Sequence, residues 1–81
     1  MKARIYVSLK PGVLDPQGKA IHHSVELIGH TNIDDIRQGK YFEVGFADGV
    51  CMDAARETAE AIAADVLANP VIEDFRVELA D

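Results

Sequence analysis

An 81-residue chain with a formal net charge of −6 has room for one hydrophobic core, so residues 1–81 read as a single domain. Its eight Lys and Arg residues are scattered from Lys2 to Arg76, which argues against nucleic acid, where clustered cations must neutralise phosphates. One cysteine excludes an internal disulfide framework and a CxxC site; no apolar run reaches the length of a membrane span; the alternating N-terminus is unlike a secretory leader. A cytoplasmic protein with no membrane contact is expected. A core this small is marginal alone, and oligomerisation is one common remedy.

From Ala3 to Lys10, Ile5, Val7 and Leu9 alternate with Arg4, Tyr6 and Ser8, the period of a half-buried strand, which Pro11-Gly12 ends. Asp15-Pro16 is a helix start, with Asp as the cap and Pro at the first helical position. Ala20, Ile21, Val25 and Ile28 follow at helical spacing, so a helix is expected over about Pro16 to Ile28, with Gly29 as a left-handed cap. Ile33 to Gln38 reads as a weaker strand. Gly39-Lys40 would turn the chain into a hairpin with the strand Tyr41 to Ala47, which Asp48-Gly49 closes.

A second helix carries the stripe Met52, Ala55, Ala59, Ile62, Ala63 and Val66, and Asn69-Pro70 stops it. Phe75, Val77 and Leu79 alternate with Asp74, Arg76 and Glu78 in a last strand. The order βαββαβ predicts an α+β, ferredoxin-like fold: a four-stranded antiparallel sheet, order 4-1-3-2, with two helices on one face. Ile5, Val7, Leu9, Phe42, Val44, Phe46, Phe75, Val77 and Leu79 would lie under the helices. Arg4, Tyr6, Ser8, Tyr41, Glu43, Asp74, Arg76 and Glu78 would form the other face, either solvated or a second protein surface.

No group of residues converges on catalysis. His22, Glu26 and His30 stack at i, i+4, i+8, but Gly29 interrupts the helix before the third, and no metal is expected. Cys51 has no neighbouring base in sequence. Asp34-Asp35 and Glu73-Asp74 are adjacent pairs, which on a strand point to opposite faces. No glycine-rich phosphate loop is present, so no cofactor is implied. Gly18, in the first helical turn, is either tolerated at a helix end or marks close approach of another backbone, and Gly45 poses the same choice in its strand. Arg37, Lys40 and Tyr41 flank the expected hairpin turn, as an exposed polar tip or as a docking element.

Three segments carry a resemblance: Leu14-Asp15-Pro16-Gln17-Gly18, Arg37-Gln38-Gly39-Lys40 and Asn69-Pro70-Val71-Ile72-Glu73-Asp74. In their order and spacing, nearly end to end, the chain resembles PurS, the small-subunit family of phosphoribosylformylglycinamidine synthase in purine synthesis. The segment Gly49-Val50-Cys51 is less acidic than the family pattern, which leaves the start of the second helix open. The resemblance implies a domain that is not itself catalytic. It would belong to an ATP-dependent glutamine amidotransferase complex, bridging a large synthetase subunit and a glutaminase subunit and helping ammonia pass between them. It further implies a homodimer or tetramer. Asp15, Gln17, Gly18, Arg37, Gly39, Lys40, Tyr41 and Asn69 are the candidate partner contacts, although Asp15 and Asn69 also suit plain capping and turn roles. Arg4, Tyr6, Glu43 and Arg76 are the candidate oligomer face. Two rival functions are a small-molecule-binding regulatory module of ferredoxin-like fold and a stand-alone enzyme using His22 or His30.

Overall fold

The computed structural model describes residues 1–80. Strand β1 (Lys2–Leu9) is central and pairs antiparallel with β2 (Gly39–Gly45) on one side and β3 (Glu73–Ala80) on the other. Helix α1 (Pro16–Leu27) follows β1, and α2 (Met52–Ile62) lies between β2 and β3. The sheet therefore has three strands among the described residues, in the order β2-β1-β3. The expected central position of the first strand holds. The expected second strand does not: residues 30–38 form no regular element, and Gly39, read as a turn, is the first residue of β2. With no reversal at Gly39-Lys40, there is no hairpin to pair the preceding segment with β2.

Register fixes the two faces. Ile5 stands opposite Phe42 and Val77, and Val7 opposite Phe75, so the apolar positions of all three strands share one face. Ala3, Ile5 and Val7 are fully buried there against Ala59 and Ala63. The small alanine side chains of α2 bring that helix close to the sheet, and its contacts run to β1 and β3. Phe42 and Val44 of β2, and Phe46 just beyond it, are only partly buried against this core.

Beyond Ile62 the helix widens into a π turn over Ala63–Leu67, closed by the Ala68 amide donating to the Ala63 carbonyl at 2.9 Å. The wider turn shifts the phase of the stripe. Leu67 and Ala68 turn inward, and Val66, expected on the buried face, is 72% exposed. The start of α2 is now placed at Met52, capped by Cys51 without a side-chain hydrogen bond.

The expectation of two helices on one face meets a second correction. None of the apolar side chains of α1 joins the core cluster. Ile21 is 43% and Ile28 75% exposed. The helix instead packs along residues 30–38 of its own chain: His22 Nε2 lies 3.0 Å from the Ile33 carbonyl, and the His30 amide donates to Val25 at 3.2 Å. Gly29, at φ +105°, makes the left-handed bend that starts the return. The result is an arm projecting from the sheet. The radius of gyration is 16.1 Å over extents of 51 × 27 × 14 Å, against about 12 Å for a compact chain of this length.

Candidate functional site

The three segments quoted above meet at the end of the sheet where the arm departs. Asp15 organises the meeting. Its carboxylate caps α1 by accepting from the Gly18 amide at 2.9 Å, and its other oxygen accepts from the Gln38 amide at 2.7 Å. These two amides, with the Arg37 guanidinium nearby, hold the Asp15 carboxyl below the ordinary Asp range, outweighing the opposing effect of burial. A local capping signal in the sequence is thus also a tertiary clamp between residues 23 apart.

Gly18 resolves in favour of close approach, from within the chain. A Cβ there would lie inside the contact distance of the Ile36 carbonyl oxygen and 2.8 Å from Asp15 Oδ2. Gly39 is constrained in the same way: its Cβ would stand 2.8 Å from the Val7 carbonyl oxygen. A Cβ at Gly45, by contrast, would meet open space. Arg37 Nη2 reaches the carbonyls of Leu9, Lys10 and Val13 at 3.3–3.4 Å, so the guanidinium spans the β1–α1 loop while remaining exposed.

The third segment is held by Asn69 and Glu73. Asn69 Oδ1 accepts from the Val71 amide at 3.0 Å, the side-chain-to-backbone closure typical of Asn in turns. Glu73 accepts from the Asn69 amide at 2.7 Å and pairs with Lys40 at 3.4 Å, its side chain only 11% exposed. Asp15, Gln17, Gln38, Lys40 and Glu73 line a depression of about 140 Å³ between these segments. Gln38 and Glu73 belong to the matched segments but are not among the contact candidates read from the sequence. The sequence offers Glu73 only as half of the Glu73-Asp74 pair, because a carboxylate that bonds the Asn69 amide and Lys40 looks like any strand-end acid.

The outward face of the sheet is the second candidate surface. The Tyr6 and Tyr41 rings lie 5.2 Å apart at 38°, and the Arg76 guanidinium sits 4.5 Å above the Tyr6 ring. Glu43 bonds Lys2 and the Tyr41 hydroxyl, both at 3.1 Å, and these contacts lower the pKa of its carboxyl. Partial burial, together with the Glu78 carboxylate, raises that of Tyr6. Register places Arg4 between Glu43 and Glu78, while the direct ion pairs on this face are Lys2–Glu43 and Arg76–Glu78.

The remaining candidates do not join either surface. Cys51 is exposed ahead of α2. Among the described residues no group of three or more His, Cys, Asp or Glu could hold a metal, and no helix is long and apolar enough to cross a membrane.

Fold and site together define a small α+β domain that presents surfaces: a tied junction at one end of a three-stranded sheet, and a charged aromatic array across its open face. Comparison with known proteins assigns the family. The chain belongs to the PurS family, described as "PurS: Phosphoribosylformylglycinamidine (FGAM) synthase", which matches residues 2–81. It is 39% identical over 82 residues to the phosphoribosylformylglycinamidine synthase subunit PurS of Bacillus subtilis, covering 99% of this chain and 93% of the relative. The Mycobacterium leprae subunit of the same name is 42% identical over 76 residues, covering 94% and 91%. The solved structure of B. subtilis PurS superimposes with a TM-score of 0.82 at 37% identity, over 99% of this chain and 98% of that one. PurS is thus a subunit of the synthase that forms phosphoribosylformylglycinamidine in purine biosynthesis.

Proposed function

We propose that this chain, as a single domain, is the non-catalytic assembly subunit of phosphoribosylformylglycinamidine synthase. It bridges the large synthetase subunit and the glutaminase subunit and supports transfer of ammonia from glutamine to the ATP-activated formylglycinamide ribonucleotide. One observation carries this reading: the three family-matched segments, far apart in sequence, are tied into one junction whose rim is exposed. Asp15, Gly18 and Gly39 build the junction, while Gln17, Arg37, Lys40 and Asn69 are exposed around it; Tyr41, the other candidate contact, turns its ring to the outward face beside Tyr6. A fixed rim that carries the cations Arg37 and Lys40 on an acidic chain suits docking against an acidic surface of a larger partner.

The outward array of Arg4, Tyr6, Glu43 and Arg76 is proposed as an oligomer face in a homodimer or tetramer. Aromatic rings and arginine among paired charges are the composition enriched at protein interfaces. The regulatory-module reading has less support. The junction depression, about 140 Å³, is below the roughly 300–1,000 Å³ of typical small-ligand sites. Another depression, of about 560 Å³, is lined mostly by exposed side chains around Pro11, Asp35 and Asp74.

The test is glutamine-dependent amidine formation by purified synthetase and glutaminase subunits, with and without this chain, alongside the mass of the complex by light scattering. Activity and a larger complex that appear only on its addition support the assembly role. Unchanged activity and unchanged mass would overturn it.

A further inference from the structure

We propose that Asp48, followed by Gly49, is a modification site: its backbone rearranges spontaneously to isoaspartate, which makes the chain a substrate for a methyltransferase that recognises the isoaspartyl α-carboxylate. Residues 47–50 turn the chain between β2 and α2, and Asp48 and Gly49 at the tip are exposed. One long bond closes the turn, the Val50 amide donating to the Ala47 carbonyl at 3.4 Å. Gly49 stands at φ +90°, the left-handed value that the third residue of a type II turn requires. A Cβ there would meet open space, so nothing packs on the tip. Among the described residues the Gly49 amide donates to no backbone carbonyl, and the Asp48 carboxylate joins no ion pair.

The rearrangement needs these conditions together. The Gly49 nitrogen attacks Asp48 Cγ, an N–C bond forms, and the carboxyl hydroxyl leaves with the amide proton as water. The resulting five-membered succinimide then takes up one water. Addition at the original main-chain carbonyl breaks that carbon's bond to nitrogen, and the chain now runs through Cγ. Mass is unchanged, the backbone is one carbon longer, and a free α-carboxylate stands where the side chain was. An unbonded amide is free to lose its proton, and a following glycine has no side chain to crowd the ring.

The other described aspartates lack this combination. Asp15 precedes Pro16, which has no amide hydrogen, and its carboxylate is held by two amides. Asp74 is paired with Lys10 at the start of β3. Asp53 and Asp65 are held at helical torsions, and Asp34 and Asp35 precede Asp35 and Ile36, whose side chains crowd the attacking nitrogen. The longer backbone at residue 48 lies just ahead of α2, where Cys51 supplies no side-chain cap to hold the helix start.

The experiment ages the full chain at neutral pH, folded and in urea, and measures isoaspartate by enzymatic methyl transfer from S-adenosylmethionine. Electron-transfer fragmentation of the tryptic peptide of residues 41–56 separates Asp48 from Asp53. In the folded chain isoaspartate should accumulate at residue 48 and not at Asp53. Its rate should lie within about tenfold of that in urea, as for a turn that little restrains. Asp48→Glu, whose longer side chain would have to close a larger ring, should abolish the signal. Isoaspartate that forms at residue 48 only in urea, that forms equally at Asp53, or that persists in Asp48→Glu would overturn the proposal.

Discussion

Asp15 and Gln38 are joined by a single carboxylate-to-amide hydrogen bond of 2.7 Å, and through it the start of α1 is fixed to the start of β2. The same carboxylate caps the helix at Gly18. One side chain therefore sets both the arm's origin and the junction that the matched segments share.

Replacing it should be felt globally. Asp15→Ala is expected to lower Tm by roughly 5–15 °C, since a helix cap and a tertiary hydrogen bond go together. Thermal unfolding followed by circular dichroism measures this. The effect is pH-dependent with a defined sign. Because the folded carboxyl titrates below its ordinary value, its contribution is complete above the unfolded Asp pKa of about 4. It is lost as pH falls through the lower, folded value. The Tm gap between wild type and Asp15→Ala should be constant from about pH 5 to 7 and narrow below about pH 4.

Gly18→Ala tests the close approach. In an open helix Ala gains about 0.5–1 kcal/mol over Gly. Here the new methyl meets the Ile36 carbonyl and the Asp15 carboxylate, so a net loss of about 1–3 kcal/mol is expected from overpacking. Urea denaturation reads the sign directly, and stabilisation would refute the contact.

Arg37→Lys should act locally. The guanidinium contacts to Leu9, Lys10 and Val13 are long and exposed, and a lysine cannot reproduce their fan. Global stability should change by less than about 1 kcal/mol. Hydrogen exchange across residues 10–14 should nevertheless quicken several-fold.

Lys40→Glu separates docking from folding. Its ion pair with Glu73 is partly exposed, so a Tm change of only a few degrees is expected. If the junction rim contacts a partner, the charge reversal should cut amidine formation in the reconstituted complex by about tenfold. Wild-type activity at every subunit concentration would place Lys40 outside the contact.

How much of this was legible follows from the range of each interaction. Asp15-Pro16 announced α1 because capping is local chemistry, and the alternation around Tyr6 and Arg76 announced the two faces because strand period is local as well. Gly18 was legible as a cost in need of a reason, but the reason, the Ile36 carbonyl, lay 18 residues away. Val66 was misplaced because a π turn shifts helical phase without a sequence signature. Ile33 to Gln38 carries a strand-like pattern yet pairs with no strand among the described residues, and Gly39 extends a strand where its residue type suggested a turn. At that point, the pattern of one chain underdetermines the structure.

The tyrosine pair on the outward face gives the protein a built-in optical probe. The chain has two tyrosines and no tryptophan, and both tyrosines stand in one stack 5.2 Å apart, roofed at one end by Arg76. All of its tyrosine emission therefore originates from a single patch of one surface. Whatever covers that patch will change the light the molecule gives off, with no label attached, while events at the arm remain optically silent.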